Sequence, residues 1–411
     1  LSYKQLLFDL HEAYYDARRH KRNRCYQQKF EADMENNLRC LADELYTRTY
    51  KPRPSTCFII TEPKKREVFA ADFRDRIVHH LYFNYVHEIF ERTFITDSYS
   101  CIKGRGTHYG ISRLQKHIAS ESLNYTEPCY ILKMDVRGYF MHIDRAILLD
   151  ICLRKLQEMK SHRVSSKASL RWFEVVDFDF VEYLTRLIVL LDTLDDCRIV
   201  GSRSDWNDLP HDKSLFFSGK GCGLPIGNLT SQLFSNVYLG ELDQYMKREL
   251  GCRHYGRYVD DFYVVSVDRD WLNSLVPKVH CYLNDNLGLE LHDGKTCIYR
   301  ASMGVSFLGA YLKPCRNYID SSSLHRMQPK LSYLHTEFNT WKLQVRLNSF
   351  LGILSHYASF NIRRSLFFSD RLFVALGSFR NWGLVFVPYY VNLSFRPIRL
   401  SAFSPVRLSA F

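Results

Sequence analysis

Three aspartates stand where two-metal chemistry would want them. Asp135 closes the apolar run Tyr-Ile-Leu-Lys-Met at 130–134, and Asp260 and Asp261 sit between apolar residues in the stretch 257–267. The first pattern reads as a buried strand running straight into an acid. The second reads as two strands about a tight turn that carries a pair of acids. Carboxylates crowded together are unfavourable without a cation, so an acidic pair between hydrophobic strands implies an ion. Hard divalent ions take such oxygens, and two of them about 3.5–4 Å apart activate an attacking hydroxyl and stabilise a leaving pyrophosphate. Taken alone, Tyr258-Val-Asp-Asp261 also fits an exposed turn with no ion, and the tetrapeptide leaves that alternative open.

The elements that would carry these acids follow from hydrophobic spacing. Residues 1–50 have helical spacing at Leu6, Leu7 and Leu10 and again at Leu38, Leu41 and Leu45, ending at Pro52 and Pro54. Short strands are expected at 57–61 and 67–71 around a Pro-Lys-Lys turn, then an amphipathic helix over 75–90. An insert of about 151–220 follows the first acid and ends at Gly219, Gly221 and Gly223. A helix fits 228–250, closed by Gly251; Phe307-Leu-Gly309 opens a further hairpin, and the rest is expected to be largely helical. The pattern is that of an α+β chain of two or three subdomains. Arg399-Leu-Ser-Ala-Phe403 recurs as Arg407-Leu-Ser-Ala-Phe411, a single duplication that reads as a frayed tail rather than a solenoid.

Composition bounds the partners. With 46% hydrophobic and 15% aromatic residues the chain can bury a real core, which excludes bulk disorder. No apolar run reaches membrane-spanning length, and no secretory leader opens the sequence, which begins at Leu1 rather than Met and so leaves its true start open. Twelve scattered cysteines without a C-x-x-C pair read as reduced, mostly buried thiols of a cytoplasmic protein, and Cys252 with His254 reads as packing. Lys and Arg number 56 against 44 Asp and Glu, a net charge of +12, which suits a polyanionic partner. Basic residues concentrate in Arg18-Arg-His-Lys-Arg22 and beyond Asp370, where no acid follows. The first of these runs fits a solvated helix face equally well.

Around the acids lie six further segments in a fixed order. They are Lys65-Arg-Glu-Val-Phe-Ala-Ala-Asp-Phe-Arg-Asp-Arg76, Ser98-Tyr-Ser-Cys-Ile-Lys-Gly-Arg-Gly-Thr-His108, Asp135-Val-Arg-Gly-Tyr-Phe140, Gly223-Leu-Pro-Ile-Gly-Asn-Leu-Thr-Ser-Gln232, Leu291-His-Asp-Gly-Lys-Thr296 and Val305-Ser-Phe-Leu-Gly309. With the Tyr258–Asp261 hairpin these make seven ordered matches over about two-thirds of the chain, and the sequence resembles reverse transcriptases. The resemblance implies a right-handed polymerase fold, with fingers over 1–130 including an N-terminal helical extension, and a palm with an antiparallel sheet over 131–318. A helical thumb would span 319–390 and a basic tail 391–411. No RNase H or endonuclease domain is expected.

Residue by residue, the resemblance implies that Asp135, Asp260 and Asp261, with the Val136 carbonyl, hold two Mg²⁺ ions, Mn²⁺ being a substitute. Lys65 and Arg66 would hold the incoming triphosphate, although on their own they also suit a charged turn. Phe140 would block a ribose 2′-hydroxyl, with core packing as its alternative. Lys295 would protonate pyrophosphate or be a plain surface charge. Lys103 and Arg105 would touch backbone phosphates, and Arg326, Lys330, Lys342, Arg346, Arg363 and Arg364, against Glu337 alone, would track a duplex.

Most reverse transcriptases carry Gln before the Gly of the 223–232 motif and end it Ser-Pro; this chain has Ile226-Gly227 and Ser231-Gln232. That pattern resembles the enzymes of bacterial and phage diversity-generating retroelements, which misincorporate opposite template adenines. The expected partners are then template RNA, primer and cDNA, dNTPs, and a small basic accessory protein that forms a ring, with no membrane. An intron-like or retron-type enzyme is the alternative within the family, and an idle RNA-binding scaffold the alternative outside it.

Overall fold

The computed structural model describes residues 1–19, 24–62, 64–164, 167–334, 339–368, 370–380 and 385–388. Residues 20–22 of the first basic run, Glu337 and the tail 391–411 lie outside them. The chain forms two units, Leu1–Arg316 and Asn317–Phe411.

In the first unit the Ser2 hydroxyl accepts from the Gln5 amide at 3.2 Å and so starts α1 (Tyr3–Arg18), which turns Leu6, Leu10, Ala13, Tyr14 and Ala17 inward. Helices α2 (Cys25–Glu31) and α3 (Met34–Tyr46) complete the N-terminal layer. Strands β1 (Ser55–Ile60) and β2 (Arg66–Ala70) then pair antiparallel, with Cys57 opposite Phe69. Asp72 caps α4 (Phe73–Glu91), the expected amphipathic helix, which packs on α1 and buries Ile77, Val78, Leu81, Tyr82, Val86 and Ile89. Each such side chain contributes about 1.5–3 kcal/mol on burial. Helix α5 (Thr107–Glu121) leads into β3 (Tyr130–Asp135).

The segment 151–220 is not a loose insertion. After the short α6 (Tyr139–His142), α7 (Arg145–Met159) is capped by Asp144. A hairpin of β4 (Arg163–Val164) and β5 (Lys167–Arg171) and the single turn α8 (Trp172–Val175) follow. Next, α9 (Phe178–Leu190) packs on α7 and α4. The later part of the insert contains β6 (Cys197–Ile199), which adds to β1 in parallel and so extends the β1–β2 sheet.

Helix α10 (Leu229–Gln244) runs where a helix is expected, and β7 (Tyr255–Tyr258) and β8 (Asp261–Ser266) form the acid-bearing hairpin. Helix α11 (Arg269–Leu287) ends at Gly288 in the left-handed conformation and leads to β9 (Cys297–Arg300). Strands β7, β8, β3 and β9 make one antiparallel sheet in that order, with α5 and α11 packed against it. Strands β10 (Val305–Phe307) and β11 (Ala310–Lys313) form a hairpin in which Leu308 and Gly309 are the turn itself, both at positive φ.

The second unit has its own core of Met327, Leu331, Leu343, Leu347, Leu351, Phe367 and Phe386. It follows β12 (Arg316–Ile319) with α12 (Ser321–Leu334), α13 (Thr340–Leu354), α14 (Phe360–Arg363) and α15 (Arg371–Leu376). An antiparallel pair, β13 (Gly377–Arg380) with β14 (Val385–Pro388), joins this largely helical end. The thiols correct the expectation that they are mostly buried. All twelve are free, but Cys25, Cys40, Cys101, Cys281, Cys297 and Cys315 are exposed. No helix among the described residues is long and apolar enough to cross a membrane.

Candidate active site

Strand register brings the three acids together. Asp135, the last residue of β3, lies directly opposite Asp261, the first of β8, while Val259 and Asp260 form the two-residue turn between Tyr258 and Asp261. Val259 takes φ +57°, a conformation that a β-branched residue adopts only where its surroundings enforce it. The Val136 amide donates to the Asp260 carbonyl at 3.3 Å, and the His292 amide to the Asp135 carbonyl at 2.8 Å, so the segment before Lys295 is tied to the strand end.

Two lysines answer this charge. Lys295 Nζ donates to Asp135 Oδ1 at 2.9 Å, and Lys133 Nζ lies 3.5 Å from Asp261 Oδ1 while donating to the Ser306 carbonyl at 2.9 Å. They do not neutralise the cluster. Burial, with the nearby charges of Asp135 and Asp261, pushes the Asp260 carboxyl up to about 6, and burial also raises that of Asp261. Among the described residues no three His, Cys, Asp or Glu side chains are gathered as a ready metal cage. The donor chemistry nevertheless fits a hard divalent ion: the donors are all oxygen, and the charge is left undercompensated. Lys295 is half exposed.

Apart from Lys295 at the acids, the expected nucleotide residues fall into three places. Phe140 and Ile226 are both half-buried and pack against one apolar cluster of Cys57, Phe69, Met141 and Leu215. The Leu224 amide donates to the Phe140 carbonyl and the Phe69 amide to the Ile226 carbonyl, each at 2.8 Å. Lys65 and Arg66 stand at the start of β2, where Lys65 Nζ donates to the Asn207 carbonyl and Arg66 is exposed. Gln232 is exposed and its Oε1 receives the Cys101 thiol at 3.4 Å.

A family profile described as "Reverse transcriptase (RNA-dependent DNA polymerase)" matches residues 62–312, more than half of the chain. The chain belongs to the reverse transcriptase family. As a reverse transcriptase it is an RNA-directed DNA polymerase, and its α+β fold is the right-handed polymerase fold. Protein YkfC of Escherichia coli (strain K12) is 22% identical over 315 residues, which is 68% of this chain and 72% of that protein. Among solved structures, telomerase from Candida albicans in complex with the TWJ fragment of telomeric RNA aligns at TM-score 0.45 and 13% identity, over 78% of this chain and 55% of that one. Apo telomerase from Candida tropicalis aligns at TM-score 0.46 and 11% identity, over 73% and 52%. This reverse transcriptase thus spans about half the length of those telomerase chains.

Several residues that support the candidate site of this reverse transcriptase escaped the sequence. Arg257 and Asp243 are both fully buried and paired at 2.6 Å, and Arg257 Nη1 donates to the Val259 carbonyl at 3.0 Å, bracing the turn that carries Asp260. Glu67 is also fully buried. It accepts from Trp206 Nε1, the Ser214 hydroxyl and the Leu215 amide. A signal for Glu67 exists in the sequence, since it shares a strand face with Phe69, an inward position. The outlying basic residues divide. Lys103 is exposed, whereas Arg105 is half-buried and its Nη1 donates to the carbonyls of Ile95 and Ser98 at 3.0 and 2.9 Å, holding its own loop. Arg326, Lys330, Lys342, Arg346 and Arg364 are exposed. Arg363 is not: it is buried, and its Nε donates to the Ser359 hydroxyl at 3.2 Å, so its side chain does not lie on the surface expected of a phosphate contact.

Proposed function

We propose that this reverse transcriptase extends a DNA primer on an RNA template with two Mg²⁺ ions held by Asp135, Asp260, Asp261 and the Val136 carbonyl. We further propose that it is error-prone at template adenines, making mutagenised cDNA for a bacterial or phage diversity-generating retroelement. The observation that carries the catalytic part is the register of Asp135 against Asp261 with Asp260 in the adjoining turn. When bound, Mg²⁺ (or Mn²⁺) supplies Lewis acidity to the primer 3′-hydroxyl and to the departing pyrophosphate. The remaining work belongs to side chains. Lys65 and Arg66 hold the triphosphate, the Arg66 guanidinium lying against the base. Phe140 excludes the ribose 2′-hydroxyl. Lys295, released from Asp135, delivers a proton to pyrophosphate. Fingers, palm and thumb take residues 1–130, 131–318 and 319–390. A small basic ring-forming accessory protein engages basic residues outside the palm motifs, Arg18 to Arg24 and the acid-free tail, in the cytoplasm.

The mutagenic part rests on Ile226. A Gln amide there could hydrogen-bond the incoming nucleotide, while Ile offers only a stiff branched hydrocarbon set in an apolar cluster. A site that hydrogen-bonds its substrate rejects poor fits strongly, whereas apolar contact discriminates by only about 1–3 kcal/mol. Selection loosens most where pairing is weakest, opposite adenine. The test is sequencing of cDNA made from one defined RNA, with accessory factors and native template supplied, scoring errors by template base. Errors should concentrate at adenines, and Ile226→Gln should reduce them there. If the parent copies adenines as faithfully as the other bases, the mutagenic reading fails and that of an RNA-templated DNA polymerase stands.

A further inference from the structure

The stretch Arg203–Phe217 at the end of the insert touches the elements that bear Lys65, Arg66, Phe140 and Ile226. Its hold on strand β2 is polar and buried: Trp206 Nε1 and the Ser214 hydroxyl reach Glu67 Oε2 at 2.7 and 2.8 Å, and the Leu215 amide reaches Oε1 at 2.6 Å. Lys65 Nζ meets the Asn207 carbonyl, so both neighbours of Arg66 in the chain are tied to this segment. Just upstream, the Val200 amide donates to the Cys57 carbonyl at 2.8 Å.

The same segment presses on two tight turns. Gly138 (φ +54°) follows Asp135, and a Cβ there would come within 2.7 Å of the Asp212 carbonyl oxygen. Gly223 (φ +92°) opens the motif that contains Ile226, and a Cβ there would collide with the Leu215 Cδ1 methyl. Leu215 itself is 3% exposed and belongs to the cluster on which Phe140 and Ile226 pack.

We infer that Arg203–Phe217 is a built-in back wall of the nucleotide site, pinned by Glu67, and that Leu215 is a positioning residue that sets sugar selectivity by supporting the Phe140 and Ile226 face. A fully buried carboxylate that satisfies three donors from one segment makes a rigid anchor, not a chance surface contact. The inference rests on Phe140 and Ile226 being nucleotide contacts.

The experiment is steady-state primer extension with dNTPs and rNTPs by the full chain and its variants, beside thermal melts. Leu215→Ala should raise the dNTP KM and cut dNTP-over-rNTP discrimination about tenfold, with kcat within about threefold of the parent. Leu215→Met should restore both, and Glu67→Gln, which turns an N–H group toward a donor, should move KM in the same direction as Leu215→Ala. If Leu215→Ala does not fold, Leu215→Val is read the same way. Unchanged selectivity in a folded Leu215 variant overturns the inference, as does a kcat loss that matches the whole effect. Phe140→Ala separates the two ideas. If it loses selectivity while the Leu215 variant does not, the back wall fails and the reading of Phe140 stands. If neither variant loses selectivity, the reading of Phe140 fails and the back wall falls with it.

Discussion

Arg257 and Asp243 show how much a single buried pair can decide at the scale of the residue. Neither has exposed surface; Arg257 Nε also reaches Asp243 Oδ1 at 2.8 Å, and the Tyr255 hydroxyl donates to the same oxygen at 2.6 Å. Removing one partner strands a buried charge, so Arg257→Met should cost about 3–5 kcal/mol of stability. Replacing both, as Arg257→Met with Asp243→Leu, should recover much of that in a melt without recovering polymerisation, because the Val259 carbonyl still lacks its donor. Full activity in the double variant would show that the brace on the turn is dispensable. The acids behave in the opposite way. Asp260 is crowded by like charge, so Asp260→Asn removes repulsion and should leave the melting temperature equal or higher while abolishing Mg²⁺-dependent extension. Activity within tenfold of the parent would sink the metal assignment.

Between elements, the contact of α4 with α10 carries a pH dependence of its own. His79 on α4 is buried, its Nδ1 lies 2.8 Å from the Thr230 hydroxyl on α10, and burial pushes its pKa down to about 4. In the unfolded chain the group titrates near its ordinary 6.5, so between about 6.5 and 4 the unfolded state binds the extra proton. Stability therefore falls as pH drops through that window, by up to about 3 kcal/mol from this site at its lower end. His117, also pushed down to about 4 by burial, adds in the same direction. Denaturation midpoints at pH 7.5 and 5 should differ, and His79→Gln should narrow the gap; an equal gap in the variant would remove His79 from the account. These helices and the acid hairpin were legible because long periodic runs and acids between apolar strands leave marks in the residues themselves. Strand β6 was not: it has three residues, only one of them half-buried, and its partner β1 lies some 140 positions away in the chain. Arg257, and the partners of Glu67 if not its inward position, were illegible for a related reason. Each is a charged residue whose partner, Trp206 or Asp243, becomes a neighbour only on folding. Arg363 failed differently, since composition counts a charge but does not tell which way it faces.

Across the whole molecule, the net charge of +12 acquires meaning only where it is exposed. The second unit presents Arg326, Lys330, Lys342, Arg346 and Arg364 on its surface, and no acid interrupts them among the described residues of 326–364. If this unit tracks the phosphates of the template–primer duplex, each neutralised phosphate releases a counterion, and log affinity falls with log salt by about one for each contact. Replacing Lys342 and Arg346 together with Gln should then flatten that slope by about two and weaken binding alike on every sequence. Extension at low salt and saturating primer should be nearly unchanged, because neither residue belongs to the first unit, where the acids lie. Arg363→Gln is the internal contrast. Its guanidinium is buried against Ser359, so it should lower the stability of the second unit and leave the slope alone. Filter binding of a defined hybrid over a range of KCl concentrations, with melts of the same proteins, separates the two outcomes. An unchanged slope in the Lys342 and Arg346 double variant would take the duplex away from this surface, and a flattened slope in Arg363→Gln would mean that the buried arginine reaches phosphate after all.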